Sequence, residues 1–199
     1  MQHRRHLNLL TALPAEAKPL IKCFALQRHQ PVDAIPLYKA EGIHLAVSGP
    51  GLESITPAVN YLQQMSPEAS QPVWINLGIC GHGSLAIGEL LLADQVLTSD
   101  GMQWKLQSPQ KIVDNHGPLS CVSSPQAVYQ PRMAYDMESS GFLASLTPTT
   151  PLDRVHILKV VSDNPEHGIE SINAKRVNKL ITDQISLIRE FIERVSVDG

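Results

Sequence analysis

Residues 73–96, VWINLGICGHGSLAIGELLLADQV, carry the reading of the fold. Val73–Leu77 is an apolar run of strand length, and a buried strand is predicted there. Gly78, Gly81 and Gly83 follow at once and predict a glycine-rich turn, after which a second apolar strand begins at Glu89. Glycines straight after a buried strand serve one of two ends. Either the connection is tight and needs positive φ, or the backbone must come close to a ligand at the strand's carboxyl end, where open α/β sheets place their sites.

Working outward toward the N-terminus, Ser66–Gln71 is a polar connection, and before it Leu52, Ile55, Val59 and Leu62 recur at helical spacing. That helix starts near Leu52, or at Thr56-Pro57 if these are its N-cap and first residue. Ile35–Ala40 and Ile43–Ser48 read as a hairpin around Glu41-Gly42. His6–Thr11 is a short strand, followed by a helix with Leu20, Ile21 and Phe24 on one side. Pro14 suits its first turn and Pro19 suits it less. Glu16 then lies near a helix N-terminus, where the dipole favours a carboxylate, solvated or otherwise.

Toward the C-terminus the residues from Ser99 to Pro131 are mixed, with no sustained period. Trp104 stands there, as local packing or as a stacking surface. Tyr135–Phe142 (YDMESSGF) reads as a strand end entering a helix, its small residues allowing close packing on a sheet. Asp136 and Glu138, two apart, point the same way if the strand continues through them. Val155–Val161 is a strand interrupted by Lys159, and it ends in Ser162-Asp163. Asp163 is either a helix cap or an acid at the carboxyl end of a central strand. Ile172–Val195 closes the chain as one amphipathic helix with an apolar stripe from Val177 to Val195.

The totals bound the class. A chain of 199 residues, 43% hydrophobic and 18% charged, reads as one globular domain spanning 1–199. A net charge of -3 provides no basic field for nucleic acid or an anionic membrane. The opening MQHRRHLNLL lacks the apolar core of a signal peptide, and no apolar run approaches the roughly 18 residues of a spanning helix. Three cysteines without CxxC spacing fit a reducing compartment, so a cytoplasmic protein is expected. Nothing in the sequence calls for a metal or a cofactor.

Four of these stretches resemble, in the same order, segments of the purine nucleoside phosphorylase and methylthioadenosine/adenosylhomocysteine nucleosidase superfamily. Residues 73–96 resemble its "I-N-x-G-x-x-G-G … x-G-D-x-x-x-x-D-x-V" segment, and Ala12–Glu16 its "A-M-x-E-E" setting. Tyr135–Phe142 resembles "V-E-M-E-A-A-A", and Ser162–Pro165 resembles "I-S-D-x-A". A fifth, Ser48–Gly51, is similar to the "S-G-I-G" turn before the second helix. The resemblance implies an α/β fold, a three-layer α/β/α sandwich with a twisted mixed β-sheet. It implies cleavage of the N-glycosidic bond of a purine nucleoside or a 5'-modified adenosine. Asp163 would be the general acid and Glu16 would activate water. Glu138 would hold the ribose hydroxyls, Met137 would pack on the sugar, and Asp136, Gly78, Ile79 and Ser162 would complete the substrate site. A homodimer is implied too.

Two departures bear on the reaction. Phosphorylases of the superfamily carry arginines in a "G-D-P-x-R" turn and an "R-x-G" run. Here Leu13–Glu16 and Asn76–Gly78 stand in those places, which favours water over phosphate as nucleophile. Ile79 replaces a serine and His82 a small residue, His82 being a polar contact or a solvated loop residue. A phosphorylase and a nucleoside-binding relative without turnover are the alternative readings.

Overall fold

Val73–His82 is one uninterrupted strand of ten residues, and the glycines at 78 and 81 lie inside it rather than in a turn. None of Gly78, Gly81 and Gly83 has positive φ. The computed structural model describes residues 4–29, 35–66, 71–107, 112–125 and 128–197, so positions 67–70 of the polar connection lie outside the described residues. In chain order the strands are β1 (Leu7–Thr11), β2 (Gln27–His29), β3 (Leu37–Ala40), β4 (Ile43–Val47), β5 (Val73–His82), β6 (Leu90–Thr98), β7 (Gln103–Lys105), β8 (Asn115–Cys121), β9 (Ala134–Asp136) and β10 (Val155–Asp163). The helices are α1 (Pro14–Cys23), α2 (Leu52–Met65), α3 (Ser139–Leu146), α4 (Ala174–Asp183) and α5 (Ile185–Val195).

The described strands form one mixed sheet in the order β10-β6-β8-β9-β5-β1-β4-β3-β2, with β7 beside β6. β10 also pairs with β5, so β5, β10, β6, β8 and β9 close on themselves while β1 to β4 extend as an open wing. Adjacent residues of the central strands face opposite layers. Leu10, Trp74 and Ile157 pack with Ile55, Leu62 and Phe142 of α2 and α3. Leu9, Ile75 and Leu158 pack with Leu20, Ile181 and Phe191 of α1, α4 and α5. Helices on both faces explain the nearly continuous apolar runs of β1, β5 and β10, and the architecture is the three-layer sandwich expected.

Two elements differ from the sequence reading. The C-terminal helix is two helices that meet at Gln184, whose φ of -96° and ψ of 2° end α4. Its side chain donates to the Gly88 carbonyl at 2.7 Å, and the whole apolar stripe stays buried across the break. The irregular middle contains β7 and β8. The β8 sequence NHGPLSC has poor strand propensity, and the ladder to β6 shifts register at Ala93/Gln95, opposite Gly117 and Pro118. A bulge of that kind is where a proline is tolerated in a sheet. Trp104 lies on β7, packed against the α2/α3 side of the core.

Prolines at both early helices are accommodated locally. α2 begins at Leu52 after Gly51, whose φ of 85° favours glycine, and Pro57 lies within the helix rather than at its start. In α1, Pro14 opens the helix and Pro19 is internal and buried. Pro19 leaves the Ala15 carbonyl without its helical donor. Asn178 of α4 supplies one at 3.2 Å, tying the two helices together.

Candidate active site

The site opens where β5 changes neighbours. β1 pairs with residues 73–76 of β5, and β9 pairs with Gly81 and His82. Between those pairings the N–H of Ile79 is taken by a side chain, donating to Glu16 Oε1 at 2.9 Å. The other carboxylate oxygen of Glu16 accepts from Ala12 N at 3.0 Å and Leu13 N at 2.8 Å, so Glu16 reaches back to the N-cap backbone at the head of α1. Glu16 is thus buried and held from two sides. Burial raises its pKa to about 7, opposed by the nearby Lys159 charge and the backbone donors and reinforced by Glu138. A carboxylate titrating near neutrality suits a general base.

The three glycines are spaces for side chains and backbone. A Cβ at Gly78 would lie 2.7 Å from Glu16 Oε1, and one at Gly81 would lie 2.6 Å from Asp163 Oδ2. A Cβ at Gly83 would lie 1.8 Å from the Gln130 carbonyl oxygen. Close approach is therefore their role, with protein atoms as the approaching groups. Gly78 stands behind Glu16 and does not itself line the cavity.

That cavity has a volume of about 320 Å³ and is lined by Glu16, Asp136, Glu138 and Asp163 on its acidic side. Ile79, Met137 and Ser162 line it as well, so seven of the eight residues singled out from sequence converge there. Asp163, at the carboxyl end of β10, is buried, and Ser162 Oγ lies 2.5 Å from its Oδ1 and 3.1 Å from the Cys80 carbonyl. Glu138 is also buried, and its Oε1 accepts from Gly51 N at 2.9 Å, which ties the turn before α2 to the head of α3.

Asp136 and Glu138 do not run parallel as on a continuing strand. β9 ends at Asp136, and Glu138 is the N-cap of α3 with φ -124° and ψ -32°. Asp136 turns to Lys159, 2.8 Å away, and accepts from the Ser139 backbone N–H and hydroxyl. Both partners of this ion pair are almost wholly enclosed, and the ammonium stays charged because Asp136 and Glu138 outweigh the cost of burial. Breaking such a pair leaves one buried charge uncompensated, at about 3–5 kcal/mol. Lys159→Met should therefore destabilise the protein by that amount in urea unfolding, and adding Asp136→Asn should recover part of the loss. A cost below about 1 kcal/mol would show that the pair contributes little.

Sequence reasoning missed several groups. Lys159 had one signal, a charge inside an apolar strand. Tyr129, whose hydroxyl donates to Asp163 Oδ2, and the apolar Ile169 and Ile172 had none. His82 is neither solvated nor in the cavity lining. It is buried, and its Nδ1 accepts from Ser84 N and Leu85 N at 2.9 and 2.8 Å. Trp104 does not line the cavity either, which leaves it a packing role. Lys18, beside Glu16 in sequence, is exposed; the cation close to the acids is Lys159. Among the described residues no cluster of three His, Cys, Asp or Glu side chains is arranged to hold a metal ion.

No protein-family model matches the sequence, and no curated protein matches it significantly. Solved structures do resemble it. The apo 5'-methylthioadenosine nucleosidase of Arabidopsis thaliana superposes with a TM-score of 0.78 at 18% identity, covering 98% of each chain. A mutant of the Helicobacter pylori nucleosidase with 5'-methylthioadenosine in its active site gives 0.75 at 13% identity, covering 96% of this chain and 99% of that one. The futalosine hydrolase of the same organism gives 0.73 at 14% identity, covering 96% and 98%. The fold is that of these nucleosidases along nearly its whole length.

Proposed function

We propose that this protein is a nucleosidase that hydrolyses the N-glycosidic bond of a purine nucleoside or a 5'-modified adenosine, giving free base and sugar. The observation that carries the reading is that Glu16 and Asp163 line one cavity, each fitted against a glycine of the same strand.

Water attacks the anomeric carbon while Glu16 takes its proton. The bond from that carbon to the base breaks with its electron pair leaving on the base, and Asp163 delivers a proton to the imidazole nitrogen. Glu138 retains lone pairs beyond those given to Gly51 N and Met137 N, enough to accept from ribose hydroxyls and stabilise an oxocarbenium-like transition state. Met137 packs on the sugar. Asp136 acts by fixing the head of α3, from which Glu138 projects. A homodimer and a cytoplasmic location go with this reading. The three cysteines, all unpaired, suit a reducing compartment, and light scattering would give the assembly.

Water is favoured over phosphate because, among the described residues, four carboxylates and no Arg or Lys line the cavity. Each like-charge pair at ~4 Å and an effective dielectric near 20 costs roughly 4 kcal/mol. Lys159 is already committed to Asp136. Base release should proceed in phosphate-free buffer, yield free sugar, and not accelerate when phosphate is added. Phosphate-dependent turnover giving a sugar 1-phosphate would establish a phosphorylase instead. Nucleoside binding without any base release would establish a relative without turnover.

A further inference from the structure

Gly81 and Gly83 admit a segment that the hydrolytic scheme does not use. The Cβ position of Gly81 lies 2.6 Å from Tyr129 Cε1, and that of Gly83 lies against the backbone of Gln130 and Pro131. This segment is fastened to the end of β5 by Gly83 N donating to the Met133 carbonyl at 3.0 Å. Gln130 N donates to the Tyr135 hydroxyl at 3.0 Å, and the rings of Tyr129 and Tyr135 meet edge-on with centroids 5.5 Å apart. The Tyr129 hydroxyl donates to Asp163 Oδ2 while Ser162 occupies Oδ1, so both oxygens of the proposed acid are engaged.

Each of those oxygens has a second lone pair, but a base nitrogen must reach one of them from the cavity, and Tyr129 lines the cavity together with Asp163. Ser162 is a fully buried residue of β10 and cannot withdraw. Tyr129 is half-buried and stands between exposed Val128 and Gln130. Displacement therefore falls on Tyr129. We propose that Tyr129 is a further residue of the base subsite, one that competes with the purine for Asp163 and so lowers the affinity of the free site for bases. The proposal rests on the nucleosidase reading of Asp163. A site whose competent form is only partly populated binds more weakly by that fraction. Hydrogen bonds to a charged group are strong enough for the effect to reach about tenfold.

The test is Tyr129→Phe, which keeps the ring and removes the donor, with adenine as the probe in titration calorimetry. Adenine should bind the variant about tenfold more tightly than the wild type, and kcat/KM for the best nucleoside should rise through KM. Tyr135→Phe removes only the anchor on Gln130 N and should shift adenine affinity the same way by a smaller factor. Thermal melts would establish that both variants fold. Weaker or unchanged adenine binding by Tyr129→Phe would overturn the proposal, as would a loss confined to kcat, which marks the hydroxyl as a support of the acid. Absence of base release from any nucleoside would sink the nucleosidase reading alone, since adenine affinity still decides the role of Tyr129. Failure of adenine to bind any of the three proteins would overturn the proposal, whatever base release shows.

Discussion

Glu16→Gln is expected to lower kcat for nucleoside hydrolysis by about 10²–10⁴ while nucleoside binding remains measurable. The amide keeps the shape of the side chain and one acceptor for the donors of Ala12 and Leu13, but it cannot take a proton from water. With a pKa near 7 in the free protein, wild-type kcat/KM should climb as pH rises through 7, because the ionised form is the base. Residual turnover of the variant should lack that rise. Retention of wild-type kcat by Glu16→Gln would remove Glu16 from the chemistry and leave it a helix cap.

The same burial predicts a stability cost of opposite pH sense. Folding raises the Glu16 pKa from 4.5 to about 7, so the folded state holds a proton that the unfolded chain releases first. Its neutral form fits the fold without penalty below pH 4.5, and stability is lost as pH rises to 7. The shift corresponds to about 3 kcal/mol. Urea titrations at pH 4.5, 6 and 8 should show that loss in the wild type and a flatter profile in Glu16→Gln. Identical pH profiles for the two proteins would mean that Glu16 is solvated.

Much of the fold was legible because its determinants are local. Alternation and apolar runs located β1, β4, β5 and β10, and helical spacing located α2. The site was legible through short motifs, because Glu16, Met137-Glu138 and Ser162-Asp163 each sit at the end of such an element. What escaped depends on contacts distant in sequence. Nothing local to residues 73–83 tells a glycine turn from a strand whose glycines make room, since the groups needing room come from residues 16, 163 and 130. Lys159 reads as a flaw in a strand until Asp136 is beside it. Tyr129 lies in a stretch with no period, and the pairing of β5 with both β9 and β10 brings it to Asp163. The division of the last helix at Gln184 leaves the apolar stripe unbroken, so no sequence signal marked it.

Asp163→Asn should be at least as damaging as Glu16→Gln, and its substrate dependence identifies the role. The leaving base of an ordinary purine nucleoside departs as an anion unless a proton reaches its imidazole ring. An asparagine in the same pocket, beside Ser162 and the Cys80 carbonyl, has no acidic proton to give. A loss of about 10²–10⁴ in kcat is expected on adenosine-type substrates, with binding retained. A nucleoside already methylated at that nitrogen, such as 7-methylguanosine, carries its positive charge before it binds and leaves as a neutral base. If Asp163 acts by protonation, the variant's defect should shrink by an order of magnitude or more on the methylated substrate. A purely electrostatic anchor predicts the reverse, because losing a carboxylate harms a cationic substrate most, and a structural cap predicts equal losses on both. Comparing kcat/KM for guanosine and 7-methylguanosine in wild type and Asp163→Asn separates these cases. Equal losses on both nucleosides would count against Asp163 as the proton donor.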